Sequence, residues 1–194
     1  MTRILAALLC AFILASPAFP QTRQSPAGAN PPVLRVMGTG QFSRFLKRLD
    51  ADVLKWKARL RNVDVASLGV DSQERKEIER SYNLCLEALD NTREDIRKLS
   101  RDQTVKLDFL LLIDLNALAR NLDGLSVNLA SPVTLQKTST AKKSLGWARE
   151  VLDIDAELAS HMTEFQHHLL ALAGLLDAAL ESAEQGAGQP KDHN

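Results

Sequence analysis

Four stretches of this sequence repeat apolar residues at alternating spacings of four and three, and this heptad pattern limits the fold to packed helices. Such a repeat places its members on one stripe of an α-helix, here called the seam, which packs against a neighbouring helix. The first seam is Phe42, Leu46, Leu49, Val53, Trp56, Leu60 and Val63, and the second is Ile78, Tyr82, Cys85, Leu89, Thr92, Ile96 and Leu99. We predict one helix over about residues 41–61 and a second that starts at Asp71, whose carboxylate can cap its first turn.

The third and fourth seams predict two more helices, over about residues 104–129 and 140–184. The third seam is Leu111, Leu115, Leu118, Leu122, Leu125 and Leu129; the fourth is Val151, Leu158, Phe165, Leu172 and Ala179 with Ala148, Asp155, Met162, Leu169 and Leu176. The third helix is also apolar around the rest of its circumference, so we expect it to be the most buried; the residues concerned are Phe109, Leu110, Leu112 and Ile113. The fourth would span about 67 Å, against about 31 Å for the first. A break near residues 155–160 is therefore an alternative, and it would make five helices.

Matching seams and short connections favour one architecture. Consecutive helices joined by short loops become antiparallel neighbours, and 4, 3 spacing is typical of four-helix bundles. Glycine and proline lie mostly near the two ends of the chain, and no stretch alternates apolar and polar residues as a strand would. We predict an all-α fold, an up-down antiparallel bundle of four long helices over residues 41–185.

The first eighteen residues have the pattern of a secretory signal peptide. Arg3 precedes an unbroken apolar run over residues 4–15, and small residues at 16 and 18 suit cleavage after Ala18. Twelve residues rise only about 18 Å as a helix, too short for a bilayer core of about 30 Å. We predict a secreted or periplasmic protein with no transmembrane span in the mature chain. An uncleaved anchor or a plain apolar helix is the alternative. Residues 19–40 read as an extended linker and 186–194 as a flexible tail.

Charge and cysteine content exclude several classes of protein. The chain has 24 basic and 24 acidic residues, and cleavage after Ala18 removes only Arg3 from this balance. A nearly neutral exported protein has no global electrostatic reason to bind nucleic acid. Cleavage also removes Cys10 and leaves Cys85 as the one cysteine, so no intrachain disulfide can form. Because Cys85 lies on a seam, we expect a buried, inert thiol.

The search for catalytic motifs finds no phosphate-binding loop, nucleophile elbow or zinc signature, so we predict no enzyme activity and no cofactor. One arrangement suggests a metal: Glu157, His161, Glu164 and His168 share an edge of the last helix at spacings of 4, 3 and 4. Carboxylate and imidazole suit divalent transition metals. A di-iron centre would need a second histidine-bearing helix, which the chain lacks. The alternative, which we favour, is a set of solvated Glu–His pairs.

Asp155 is the one acidic residue on the apolar seam of the last helix. A buried carboxylate there needs a cation, or a raised pKa, or a break in the helix that leaves it in water. Candidate cations are Lys57 and Arg59 on the first helix and Arg149 on its own. Asp155 is therefore the second candidate site residue.

Two surface features point to binding partners. Residues 41–61 carry seven basic side chains and two acidic ones, whereas 149–185 carry Arg149 and eight acidic ones. The two helices should attract, but most of the basic residues fall at outward positions, where they form either a solvated face or a strip that meets an anionic surface. Residues 169–176 are apolar on all sides, which indicates core burial or a contact with a subunit or partner.

Together these observations predict an exported, non-enzymatic helical bundle that acts by binding a protein or an envelope component, with self-association as a further option. The alternative is a metal-binding carrier or sensor that uses the Glu/His edge.

Export gives the first testable expectation. The mature protein should begin at Phe19 or within a few residues of it, because the apolar run ends at a small-residue cleavage site. N-terminal sequencing of the exported fraction measures this. Recovery of intact Met1 from that fraction would show that the segment is not cleaved.

Overall fold

The computed structural model describes residues 36–131 and 138–187, with backbone alone for 138–140 and 183–187. The predicted signal peptide, nearly all of the linker over 19–40 and most of the tail over 186–194 lie outside these residues. Four helices account for most of the described chain: α1 (Thr39–Leu60), α2 (Ser72–Arg101), α3 (Val105–Leu129) and α4 (Thr138–Ala187). A short 3-10 helix, Val65–Ser67, lies between α1 and α2.

The helix predictions are confirmed. Each helix begins and ends within about three residues of its expected bounds, and the described ranges contain no strand. α4 runs unbroken for 50 residues, so the alternative of a fifth helix is not found. Asp71 caps α2 as expected: its Oδ1 accepts from the backbone amides of Gln73 and Glu74, both at 2.9 Å.

The chain forms two compact units. The larger, Gly38–Thr163, contains α1, α2, α3 and the first half of α4. The smaller includes residues 36–37 and 164–187 of the described chain.

Cross-helix contacts show that neighbouring helices of the larger unit are antiparallel. Between α1 and α2, Asp50 pairs with Arg93 and Lys57 with Asp90, so residue numbers rise along one helix as they fall along the other. Between α2 and α3, Asn121 Nδ2 donates to the carbonyl of Leu84 and Asn128 Nδ2 to the hydroxyl of Ser81. The same order holds for α3 and α4, where the Ser144 hydroxyl donates to the Leu129 carbonyl and Asp155 lies near Asp123.

α1 and α4 close the bundle. Arg59 pairs with Glu150 and Glu157, while Asp52, two turns earlier, lies against His161. The up-down antiparallel arrangement of four helices is thus confirmed.

The seams form the core of the larger unit. Every seam residue of α1 is at most 5% exposed, and the six seam leucines of α3 are fully buried. On α2 only Tyr82 is half-buried, and the other six members are buried. The rest of α3 is buried only in part: Leu112 is 3% exposed, whereas Leu110 and Ile113 lie at the surface, at 37% and 46% exposure. A bundle position gives a helix neighbours on part of its circumference, so apolar residues beyond the seam stay in water.

The substitution Leu118→Ala tests whether α3 lies at the centre of the core. Replacing it with alanine should cost roughly 2 to 5 kcal/mol of unfolding free energy, because a fully buried leucine leaves a cavity that neighbours fill incompletely. Denaturant unfolding measures the loss. The matched control is Leu152→Ala on α4, where the leucine is 52% exposed and the change should stay within about 0.5 kcal/mol. Equal effects of the two substitutions would contradict the assignment.

Candidate functional site

Glu157 lies at the centre of a polar cluster between α1 and α4. Its Oε2 accepts from the indole nitrogen of Trp56 at 2.8 Å and from Lys55 Nζ at 3.3 Å, and its Oε1 accepts from Arg59 Nη1 at 2.7 Å. The Trp56 hydrogen bond, with those from Arg59 and Lys55, lowers the pKa of Glu157 below its ordinary value. Because Trp56 is fully buried, its N–H needs an acceptor, and Glu157 supplies it.

His161 lies one turn further along α4, against α1. Its Nε2 is 2.9 Å from Asp52 Oδ2, and its ring meets the rings of Phe45 and Trp56 edge-on, with centroids 6.0 Å and 5.8 Å apart. A carboxylate only accepts hydrogen bonds, so Nε2 carries a proton. The His161 side chain is 13% exposed. It is thus an aromatic packing residue with one polar contact.

Glu164 and His168 belong to the smaller unit. His168 is buried, its ring stacks on Phe165 with centroids 6.3 Å apart, and its Nδ1 accepts from the backbone amide of Met37 at 3.0 Å. Burial lowers the pKa of His168. Glu164 is half-buried.

These contacts correct the expectation of solvated Glu–His pairs. Glu157 and His161 contact α1 rather than each other, because α1 places a buried indole, cations and an aspartate within hydrogen-bonding distance. Within residues 36–131 and 138–187, no group of three or more histidine, cysteine or acidic side chains is arranged to hold a metal ion. Metal binding by Glu157, His161, Glu164 and His168 stays a prediction.

Asp155 is half-buried on α4 and faces α3. Burial, and then the nearby carboxylate of Asp123, raises the pKa of Asp155. Of the three outcomes open to this residue, the raised pKa is the one found, since α4 does not break there. The two cations of α1 considered for it are used elsewhere: Lys57 pairs with Asp90, and Arg59 with the two glutamates of α4.

The sequence reasoning missed three acidic residues at or near the α2–α3 interface. Asp108 is 6% exposed, its Oδ1 has no hydrogen-bond partner in the described structure, and burial raises its pKa to about 6. Burial and the neighbouring carboxylate of Asp95 raise the pKa of Asp114 to about 6 as well. Lys98 partly neutralises this pair through Asp95, at 3.2 Å. The signal was present in the sequence: Asp108 and Asp114 interrupt an otherwise apolar segment of α3.

Cys85 is fully buried, as expected from its place on the seam. Burial raises the pKa of its thiol to about 12, so the reactive thiolate is strongly disfavoured.

The far part of α4 exposes large apolar side chains. Leu175, Leu176 and Leu180 are 60%, 48% and 39% exposed. At about 100° per residue they fall within about 140° of the helix circumference, so they form one surface, here called the leucine surface. Leu172 at its near end is half-buried, and Asp177 and Glu181 lie beside it.

The described helices include none that is both long enough and apolar enough to cross a membrane. In comparisons with known proteins, no family model, curated protein or solved structure matches this chain. The function must therefore be argued from the surfaces and side chains of this molecule.

Asp155→Asn tests whether the half-buried Asp155 carboxylate, which lies near Asp123, destabilises the α3–α4 contact. At neutral pH the substitution should stabilise the protein by about 1 kcal/mol or less, because solvent screens the half-exposed charge. The native carboxyl has a raised pKa, so the folded protein holds a proton that the unfolded chain has lost between the two pKa values. Wild-type stability therefore falls as the pH rises through that window, and the gain from Asp155→Asn should vanish below about pH 4.

Unfolding curves at several pH values measure the effect. Asp123→Asn should reproduce part of it, whereas exposed Asp153→Asn on the same helix should change little. A gain from Asp155→Asn that does not depend on pH would show that charge is not its cause.

Proposed function

We propose that this protein is an exported, non-enzymatic helical bundle that acts by binding a partner protein through the leucine surface of α4. The observation that supports it best is the exposure of Leu175, Leu176 and Leu180 on one face of a helix. Single exposed leucines are ordinary, but a contiguous group on one helical face is typical of an interaction site.

The charges beside the leucine surface indicate the chemistry of the partner. Residues 169–187 contain Asp177, Glu181 and Glu184 and no lysine or arginine. An anionic lipid surface would be repelled, and a second copy would bring like charges together. A helix with an apolar face and lysine or arginine flanks fits both the leucines and the carboxylates.

The described side chains favour binding over the metal-carrier alternative. Both carboxylate oxygens of Glu157 already accept hydrogen bonds from α1, so a metal would compete with Trp56, Lys55 and Arg59. The export part of the proposal rests on the signal-peptide pattern of residues 1–18.

Binding of two synthetic amphipathic peptides, with the same leucine face but lysine or glutamate flanks, tests the proposal. The lysine peptide should bind the protein, the glutamate peptide should bind at least about tenfold more weakly, and Leu175→Ser/Leu176→Ser should reduce lysine-peptide affinity by about tenfold or more. The matched control is Leu54→Ser/Leu152→Ser, which removes two exposed leucines elsewhere. Fluorescence anisotropy of the labelled peptides measures the affinities of the wild-type protein for both peptides and of the two double variants for the lysine peptide.

A photo-crosslinking residue at position 176, compared with one at 152, then traps the natural partner in the producing cell. Equal loss of peptide binding in the two double variants would contradict the surface assignment. A dimer by analytical ultracentrifugation that the Leu175/Leu176 variant abolishes would replace the partner protein with a second copy.

A further inference from the structure

A row of complementary charges links α1 and α2 and then ends in like charges. Lys57 pairs with Asp90, and one heptad earlier on α1 Asp50 pairs with Arg93 at 2.9 Å. At the next position Lys47 lies across from Arg97 and Arg101, which are one turn apart on α2. The first two positions thus pair opposite charges, whereas the third brings three positive charges together.

Lys47, Arg97 and Arg101 line a groove of about 320 Å³ between the two helices, here called the α1–α2 groove. Its lining residues are Leu46, Lys47, Asp50, Ile96, Arg97, Ser100 and Arg101. Leu46 and Ile96 are buried and form an apolar floor, while the three cations are exposed at the rim.

The three cations have no ion pair in the described structure, whereas the acidic residue of the groove is already neutralised. The Asp50 carboxylate accepts from Arg93 Nε, and the Ser100 hydroxyl donates to the Ile96 carbonyl. Lys47, Arg97 and Arg101 are therefore the groove's free donors. Three cations around one depression repel one another, and an anion between them removes that cost.

We propose that the α1–α2 groove binds a phosphate-bearing anion, held by Lys47, Arg97 and Arg101. The two guanidinium groups suit phosphate because each can donate two parallel hydrogen bonds, and the lysine adds a point charge from the opposite helix. The volume suits one phosphorylated head group, and the apolar floor suits a short carbon portion beside it.

This proposal does not depend on the leucine surface, which lies on a different helix and is flanked by acids. The same phosphate chemistry can come from the head group of an anionic phospholipid or from a soluble phosphorylated molecule. Because the groove is exposed, either source can reach it.

Two probes separate these sources. Inorganic phosphate is titrated against the full mature chain by chemical-shift perturbation, and vesicles of phosphatidylglycerol or phosphatidylcholine are tested by cosedimentation. The groove variant is Lys47→Gln/Arg97→Gln/Arg101→Gln. The control variant, Lys76→Gln/Arg80→Gln/Lys142→Gln, removes three exposed cations elsewhere, two of them one turn apart on the same α2. Circular dichroism and thermal unfolding verify that both variants fold.

We expect saturable binding of phosphate, of phosphatidylglycerol vesicles or of both, with a loss of about tenfold or more in the groove variant and less than about twofold in the control. Phosphate binding identifies a soluble ligand as sufficient, and vesicle binding alone identifies the head group. Equal losses in the two variants would show diffuse attraction and overturn the site. Absence of binding to either probe by the folded wild-type protein would overturn it as well.

Discussion

The burial of the leucine seam of α3 stabilises the larger unit. Six leucines at 4, 3 spacing are fully buried, and the seams of α1, α2 and the first half of α4 contribute buried residues to the same unit. No disulfide can contribute within the described chain, because Cys85 is its one cysteine. Stability therefore depends on the area of these seams and on how completely their volumes match. Most buried polar groups of this unit are satisfied by their own helix, as Thr92 and Asn116 are, or by a neighbouring helix, as the Trp56 indole is, whereas Asp108 Oδ1 has no partner in the described structure.

The helices differ in how they satisfy polar groups. Between α1 and α4 the buried indole of Trp56 and the guanidinium of Arg59 converge on Glu157, so each charge has a partner. Between α2 and α3, and between α3 and α4, one carboxylate lies near another, and burial together with that neighbour raises the pKa values of Asp114 and Asp155. A well-paired contact and two strained ones therefore lie within one bundle. Groups kept at a stability cost are frequent at functional positions.

Spacing along the sequence predicts a helix and its buried side, because both depend on local geometry. The seams of α1 and α3 and the cap at Asp71 were found for this reason. Which residue meets which across two helices depends on their relative height and rotation. The edge of Glu157 and His161 was therefore expected in water, although Trp56 and Asp52 occupy it. The raised pKa of Asp114 likewise follows from its burial between helices and from the position of Asp95 on another helix. Of the leucine surface, the sequence indicated the apolar segment 169–176, with core burial or a partner contact as alternatives, but not Leu180.

The burial of Cys85 on the α2 seam protects its thiol from oxidation. A thiol that is fully buried and protonated meets neither oxidants nor other thiols while α2 stays packed. It becomes reactive only when the helix opens, and then it finds no second cysteine in the mature chain if residues 1–18 are removed. Covalent cross-linking between two molecules is thus confined to moments of unfolding. A disulfide-linked dimer would therefore report that α2 had opened, and reduction would reverse the link.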